Sequence, residues 1–130
     1  MSYQAATSYS CDAATPKRAR GWTTEWLVGV LPAQRVTSET LDDAALVVSE
    51  LVTNALQAGG SAVTVRLAVD GPRLRISVID DAPGLPRVVH AGPDDQRGRG
   101  LPIVAEVSRV WGVTPLPAGK QVWAELVLPP

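Results

Sequence analysis

Cysteine and histidine, two residue types that often carry chemistry, are scarce in this 130-residue chain. The single cysteine, Cys11, cannot form an internal disulfide, and a lone thiol without companion ligands is more often inert than reactive. The single histidine, His90, lies in a loop where nothing nearby in sequence would orient it as a base or a phosphoacceptor. We therefore expect neither residue to take part in chemistry.

The chain also lacks a charge excess and a long apolar run. Twelve Lys and Arg against thirteen Asp and Glu leave a formal net charge of −1, so no overall basic field attracts nucleic acid or an anionic membrane. No apolar stretch approaches the roughly 20 residues of a membrane span, and the N-terminal segment lacks the apolar core of a signal peptide. We expect a cytoplasmic protein that binds no nucleic acid and no membrane, so an anionic ligand has to be bound locally.

The chain does contain enough apolar sequence for one folded domain. Apolar residues make up 45% of the composition, which is sufficient for a core, and no internal repeat or long linker divides the chain. We predict a single domain over residues 1–130. Apolar spacing and turn residues predict an edge strand within 5–13, helices at 15–31 and 38–58, a hairpin of strands 62–69 and 73–79, a short helix near 101–110, and two strands within 111–129.

The ends of the predicted helices are marked by particular residues. Thr15 followed by Pro16 suits an N-cap and the first helical position. Either Thr37 or Ser38 can cap the second helix, and Gly59 ends it. The order of the elements predicts helices on one face of a mixed, mainly antiparallel sheet, which is an α/β (α+β) two-layer sandwich.

The stretch SELVTNALQAGG, residues 49–60, places Glu50 and Asn54 one turn apart on the second helix. At about 100° per residue they lie about 40° apart and nearly opposite the apolar stripe that contains Val48. A solvated polar face is the common interpretation of such a pair. Apolar residues such as Leu51 flank the same face, however, which favours the wall of a cleft.

Two further stretches suit a nucleotide. In VIDDAPGLP a strand leads into Asp80, whose carboxylate can accept hydrogen bonds from an amino-substituted ring, and Gly84 lets the backbone approach a flat ligand. In QRGRGLPIV, Gly98 and Gly100 precede a helix, and free N–H groups at a helix start bind phosphate. Each stretch alone is also typical of an ordinary strand exit or turn. The three stretches together are specific.

In their order and spacing, these stretches resemble the N, G1 and G2 boxes of the GHKL ATPase superfamily, the fold shared by histidine-kinase catalytic domains and the gyrase ATPase. Within it, the chain is most similar to the anti-sigma-factor serine/threonine-protein kinases and their small actinobacterial relatives. KRARGWTTEWL, WGV and GKQVWAEL also look like the family's pattern, so the similarity covers nearly the whole chain. It implies a histidine-kinase-like ATPase fold with ATP and Mg²⁺ as cofactors.

The resemblance also implies roles for individual residues. Glu50 is then the general base or water-positioning group, and Asn54 binds magnesium as part of the nucleotide site; a carboxylate can accept a hydroxyl proton and an amide oxygen is a hard ligand. Asp80 recognises the adenine amino group. The other implied binding residues are Ala82 and Gly84 along the base, Gly98, Gly100 and Leu101 at the phosphates, and Arg99 beside an ATP lid formed by residues 86–97.

Three positions need separate interpretation. Ala82 replaces the first glycine of the family's D-x-G-x-G pattern and adds only a methyl group. Lys120 and Gln121 fall where many members place a Thr that supports the adenine-binding Asp, which bears on adenine affinity. Two interpretations of Arg99 stay open: it contacts the γ-phosphate, or it is a solvated side chain, since only a desolvated guanidinium clamps phosphate strongly.

Two functions stay open at this point. The first is an ATP- and Mg²⁺-dependent protein-serine kinase that restrains a sigma factor and phosphorylates a small anti-sigma antagonist protein. The second is a non-catalytic, ATP-gated interaction module that sequesters a regulatory partner, with little contribution from Glu50. The resemblance also raises a homodimer as the oligomeric state. A complete histidine kinase is disfavoured because no dimerisation helix with a phosphoacceptor histidine precedes the motifs, and fold-level analogy does not separate the first two functions.

Overall fold

One five-stranded sheet is the framework on which the helices pack. The computed structural model describes residues 2–83 and 100–130. Its elements in chain order are β1 (Ser2–Ser10), α1 (Thr15–Val30), a short 3-10 helix (Ala33–Arg35), α2 (Ser38–Gln57), β2 (Ala62–Asp70), β3 (Arg73–Asp80), α3 (Gly100–Val107), β4 (Val110–Leu116) and β5 (Gly119–Val127). The strand order is β1-β2-β3-β5-β4, and every pairing between these strands is antiparallel.

The helices cover one face of the sheet. In β2, Val63, Val65, Leu67 and Val69 are buried, whereas the residues between them are exposed or half-buried. Because side chains alternate along a strand, these four lie on the same face. α2 contacts β2, β3 and β5 on that face and packs between α1 and α3. The predicted two-layer α+β arrangement is confirmed.

Specific bonds define both ends of α2. At its start, Thr37 Oγ1 accepts a hydrogen bond from the Thr40 N–H at 3.1 Å, which identifies Thr37 as the N-cap. At its end, Gly59 has a φ of 90°, and the N–H of Gly60 donates to the Ala55 carbonyl at 3.0 Å. Glycine adopts this left-handed conformation without strain, so the helix stops where the sequence predicts.

The start of α1 differs from the prediction. Ala14, not Thr15, occupies the N-cap position, and Thr15 is the first helical residue, followed by Pro16. The buried Thr15 hydroxyl donates to the Ser10 carbonyl at 3.0 Å and accepts from the Asp12 N–H at 3.0 Å. The side chain joins the end of β1 to the helix, so it is not available as a cap.

β1 and α3 are both present, but their limits are shifted from the predicted ones. β1 ends before Asp12, whose Oδ1 accepts a hydrogen bond from the Ala14 N–H at 2.8 Å in a turn that leads into α1. α3 ends at Val107, since the Arg109 N–H already donates to the Glu125 carbonyl of β5 at 2.8 Å. In both places the predicted end of the element lies beyond the observed end. The residues between the two ends belong to a connection whose conformation is determined by side-chain or sheet hydrogen bonds.

Candidate functional site

The candidate site lies at the end of the sheet where α2 and β3 finish and β5 begins. Asp80 is the last residue of β3 and is paired across the sheet with Lys120, near the start of β5. A Cβ atom placed on Gly60, just after α2, would lie 3.1 Å from the Ala55 carbonyl oxygen and 3.5 Å from Asp80 Cβ. The C-terminal end of α2 is therefore packed against Asp80.

Asp80 is a buried carboxylate held from two sides. Its Oδ1 accepts a hydrogen bond from the Ala82 N–H at 2.9 Å, and Lys120 Nζ lies 2.8 Å from its Oδ2. The side chains of Asp80 and Lys120 are only 1% and 3% exposed. Among the described residues, the other ion pairs all include an arginine that is about half exposed, so this is the pair with both partners desolvated.

Asp80 Oδ2 keeps an acceptor position that no residue in 2–83 or 100–130 fills. Although Lys120 Nζ is 2.8 Å away, the contact lacks hydrogen-bond geometry, and Oδ2 has no other partner. Distance alone establishes attraction between the two charges, whereas a hydrogen bond also requires alignment, so the contact is an ion pair. A ligand N–H directed at Oδ2 would supply the hydrogen bond that the ion pair does not.

The β4–β5 turn brings Lys120 to Asp80. Gly119 has a φ of 143°, and a Cβ atom at this position would lie 1.8 Å from the Asp80 carbonyl oxygen, so only glycine allows the approach. A cavity of about 590 Å³ lies beside the contact, lined by residues 81–83 and 115–119. The resemblance identified Lys120 as a departure at a position that supports the adenine-binding Asp, whereas the ion pair itself follows from the β3–β5 register.

Asp81, next in the chain, is exposed and has a structural role. Its Oδ1 accepts hydrogen bonds from the Ser61 N–H at 2.7 Å and the Ala62 N–H at 3.2 Å, and its Oδ2 accepts one from the Ser61 hydroxyl. These bonds, led by that of the hydroxyl, lower the pKa of Asp81 to about 2. Asp81 thus anchors the connection from α2 to β2, next to Asp80.

Glu50 and Asn54 lie on the C-terminal half of α2, and both are half-buried. Among the described residues, neither side chain has a hydrogen-bond or ion-pair partner. Leu51, between them in sequence, is fully buried in the core. This part of α2 therefore contributes Leu51 to the core and carries a half-buried carboxylate and a half-buried amide that have no partner among the described residues.

The start of α3 is directed toward this half of α2. Val107, the last residue of α3, lines a cavity together with Thr37 and Asp43 at the beginning of α2. Because α3 also packs along α2, its first residues, Gly100 and Leu101, lie toward the half of α2 that carries the predicted pair. The unpaired N–H groups of a helix start suit phosphate.

Some of the predicted site falls outside the described residues. Gly84, Gly98 and Arg99 lie there, as do residues 86–97 and His90. The described part brings together α2 with Glu50 and Asn54, the β3 exit with Asp80 and Ala82, and the start of α3. In that part of the chain, no helix is long and apolar enough to cross a membrane.

Comparison with known families identifies the domain. Residues 12–126 match the histidine kinase-like ATPase domain. The chain belongs to this family. It is therefore an ATPase domain of the GHKL type, and membership implies that it binds ATP. The matched range contains every site residue predicted from the sequence.

Solved structures show the same fold for this histidine kinase-like ATPase domain. The RsbU and RsbW domains of Rv1364c from Mycobacterium tuberculosis match 98% of the chain with a TM-score of 0.72 and 18% identity. The blue-light activated histidine kinase of Erythrobacter litoralis matches 70% of it, with a TM-score of 0.53 and 30% identity, and its histidine kinase domain gives 0.51 and 29% over the same share. The chain spans 33%, 31% and 46% of those three chains, respectively. No curated protein matches the chain.

Proposed function

We propose that this domain is an ATP- and Mg²⁺-dependent protein-serine kinase of the anti-sigma-factor type, which binds a sigma factor and phosphorylates a small antagonist protein. The observation that carries the proposal is Asp80, a buried carboxylate with one oxygen held by the Ala82 N–H and the other without a hydrogen bond to any described residue. The exocyclic amino group of adenine is a donor of the kind that Oδ2 lacks. The similarity of the three sequence stretches to anti-sigma-factor kinases supports the class of partner.

Asn54 supports the magnesium requirement. The described residues contain no group of three or more His, Cys, Asp or Glu side chains that could hold a metal, so a cation there would depend on Asn54 and on phosphate oxygens. Such sparse protein ligation is usual for Mg²⁺, which keeps several waters. Bound at Asn54, the ion would neutralise phosphate charge. Without nucleotide, we expect the domain to hold Mg²⁺ weakly.

Glu50 is the residue that suits proton transfer. It lies one turn before Asn54 on the same helix, so its carboxylate is close to the proposed phosphate position. There it can accept the proton of a serine hydroxyl as the hydroxyl attacks. Since phosphoryl transfer depends mainly on positioning and charge neutralisation, this small set of groups is sufficient.

One observation on Glu50 favours the alternative, a non-catalytic ATP-gated module that sequesters a regulatory partner. No described residue holds the Glu50 carboxylate in one orientation. A catalytic base is typically oriented by a further group, as in a nucleophile–base–orienter triad. In this alternative, ATP supports the binding-competent form of the domain and Glu50 is dispensable.

Phosphate transfer to a captured partner separates the two functions. The partner is purified from native cytosol on the domain with ATP and Mg²⁺, then incubated with labelled ATP and wild-type or Glu50→Gln protein. For a kinase, we expect Glu50→Gln to slow phosphorylation by ~10²- to 10⁴-fold with little change in ATP affinity, because a general base acts in the transfer step. Asn54→Ala should lower both the phosphorylation rate and the ATP affinity, because neutralisation of the phosphate charge contributes to transfer and to binding.

Glu39→Gln is the matched control, since Glu39 is an exposed glutamate in the first turn of the same helix. It should phosphorylate at the wild-type rate. A wild-type domain that captures a partner but transfers no phosphate to it would leave the interaction module as the function. A Glu50→Gln variant that phosphorylates the partner as fast as the wild type would lead to the same conclusion.

A further inference from the structure

Lys120 is a buried lysine at the proposed base-binding end of the sheet. The residue is 2% exposed, and its ammonium group lies 2.8 Å from Asp80 Oδ2. Lysine is almost never fully buried unless it is paired, because desolvation of a charge is costly. The register that sets Lys120 opposite Asp80, together with the close approach of Gly119, fixes this contact. Lys120 is therefore part of the surroundings of any group that reaches Asp80.

The pair offers hydrogen-bond donors and acceptors side by side. A lysine ammonium carries three N–H donors, and within 2–83 and 100–130 its one polar contact is Asp80 Oδ2. The carboxylate uses Oδ1 for the Ala82 N–H and keeps an unfilled acceptor position on Oδ2. A ligand group at this point can therefore either donate to Asp80 Oδ2 or accept from Lys120 Nζ.

Two kinds of purine differ in the group that they carry at position 6 of the ring. A 6-aminopurine, such as adenine, has the N6 amino donor next to the N1 acceptor, whereas a 6-oxopurine has the N1–H donor next to the O6 acceptor. With position 6 of the base directed at Asp80, a carboxylate alone would accept from the amino group of a 6-aminopurine but would repel O6 of a 6-oxopurine. An ammonium beside the carboxylate supplies the donor that O6 requires.

We propose that Lys120 is a specificity-determining residue that allows the site to bind 6-oxopurine nucleoside triphosphates as well as ATP. The inference rests on the proposed function, because it requires the base to lie at Asp80. A purely structural Lys120, which only neutralises a buried carboxylate, would affect stability and the binding of both nucleotides alike. The ratio of the two affinities therefore distinguishes specificity from structure.

The test compares ATP with inosine triphosphate, which differs from ATP in the 6-position group and the N1 proton. Calorimetric titration of the wild-type domain with each nucleotide and Mg²⁺ should give dissociation constants within about tenfold of each other. A site with acceptors alone is expected to disfavour inosine triphosphate by about 100-fold or more, because O6 would face a carboxylate without a donor. Guanosine triphosphate, a second 6-oxopurine, should follow inosine triphosphate.

Lys120→Met tests the role of the ammonium group, since methionine fills similar space without donors. We expect it to bind ATP within a few-fold of its wild-type affinity and to raise the inosine-to-ATP ratio of dissociation constants to about 100 or more. Lys120→Arg, which keeps donors, should keep the ratio near the wild-type value. Lys17→Met, at the chain's other lysine, which is exposed, should leave the ratio unchanged.

The outcomes separate this inference from the function on which it rests. Binding of neither nucleotide to the wild-type domain would overturn both. Binding of ATP with rejection of inosine triphosphate by 100-fold or more would overturn the role of Lys120 and leave ATP binding intact. A Lys120→Met variant with the wild-type ratio of inosine triphosphate to ATP dissociation constants would also overturn the role of Lys120. If Lys120→Met does not fold, the wild-type ratio and the Lys120→Arg ratio decide.

Discussion

Two adjacent aspartates at the end of β3 occupy opposite environments. Asp80 follows Ile76 and Val78 on the covered face and is buried beside Lys120. Asp81 is exposed and accepts hydrogen bonds from Ser61, in the connection that precedes β2, and from Ala62, the first residue of β2. One carboxylate is thus desolvated beside a buried lysine, while the other holds the neighbouring backbone through its hydrogen bonds.

Asp81 is expected to make folding stability depend on acid pH. Hydrogen bonds from the Ser61 hydroxyl, then from the Ser61 and Ala62 N–H groups, lower the pKa of Asp81 from 3.8 to about 2. A carboxylate whose pKa is lower in the folded state than in the unfolded chain stabilises the fold at pH values above its unfolded-state pKa. That contribution is lost as the pH falls from 3.8 through about 2. Over this range the melting temperature of the wild type should fall more steeply than that of Asp81→Asn.

Ser61→Ala is the companion variant, because it removes the largest of the causes that lower the pKa. Its acid dependence should lie between those of the wild type and Asp81→Asn. The three proteins are compared by thermal melts between about pH 2 and pH 6, a range that brackets the lowered and ordinary carboxyl pKa values. Parallel curves for all three would contradict the assigned role of Asp81.

The surroundings of Cys11 agree with the expectation of an inert thiol. Burial raises the pKa of Cys11, and the charges of Asp81, Asp80 and Asp12 raise it further. A raised pKa reduces the thiolate fraction, which is the reactive form. The sequence supported this expectation only through the absence of companion ligands, since the aspartates near Cys11 are mostly distant from it in sequence.

The two helix starts show which features of an element can be predicted from the sequence. The cap of α2 is local, because Thr37 bonds an N–H three residues ahead, and the sequence restricted the cap to two candidates. At α1 the hydroxyl of Thr15 bonds the end of the preceding strand. That contact depends on how β1 meets α1, which spacing and propensity do not specify.

Removal of the α2 cap should cost measurable stability. Thr37→Ala leaves the Thr40 N–H without its acceptor, and loss of such a cap typically reduces the free energy of unfolding by about 1 kcal/mol. Ser38→Ala is the matched control, since Ser38 is an exposed helical residue and not the cap. It should change stability by less than about 0.5 kcal/mol. Urea unfolding measures the free energy of unfolding of both variants, and an equal decrease in the two would contradict the cap assignment.

The register between β3 and β5 is the element-level feature that the sequence did not reveal. The two strands are separated in the chain by α3, β4 and their connections, so no hairpin turn fixes their alignment. Alignment follows instead from burial of Val78 opposite Val122 and Ile76 opposite Ala124. This register brings Lys120 to Asp80, and the inferred base specificity depends on it.

For the whole molecule, the order of helices and strands was sufficient to predict two layers. The strand order β1-β2-β3-β5-β4 was not predictable in the same way, because β5 lies between β3 and β4, which come before it in the chain. The described parts of the predicted motifs lie on α2, at the end of β3 and at the start of α3. Their convergence at one end of the sheet follows from this topology, with α2 packed on the covered face and α3 beside it.

We propose that Asp80, at this end of the sheet, receives the base of ATP. A ligand that binds only the folded state stabilises it by about 2.7 kcal/mol at a hundredfold excess over its dissociation constant. For a domain of this size, the melting temperature should then rise by roughly 5–10 °C. Asp80→Asn should lower the ligand-free melting temperature, because Lys120 loses its charged partner.

The most direct measurement is therefore the shift in melting temperature on addition of ATP and Mg²⁺, compared among the wild type, Asp80→Asn and Asp81→Asn. We predict a rise for the wild type and for Asp81→Asn, and little or none for Asp80→Asn. No rise in the wild type at millimolar ATP, or an equal rise in Asp80→Asn, would contradict the account.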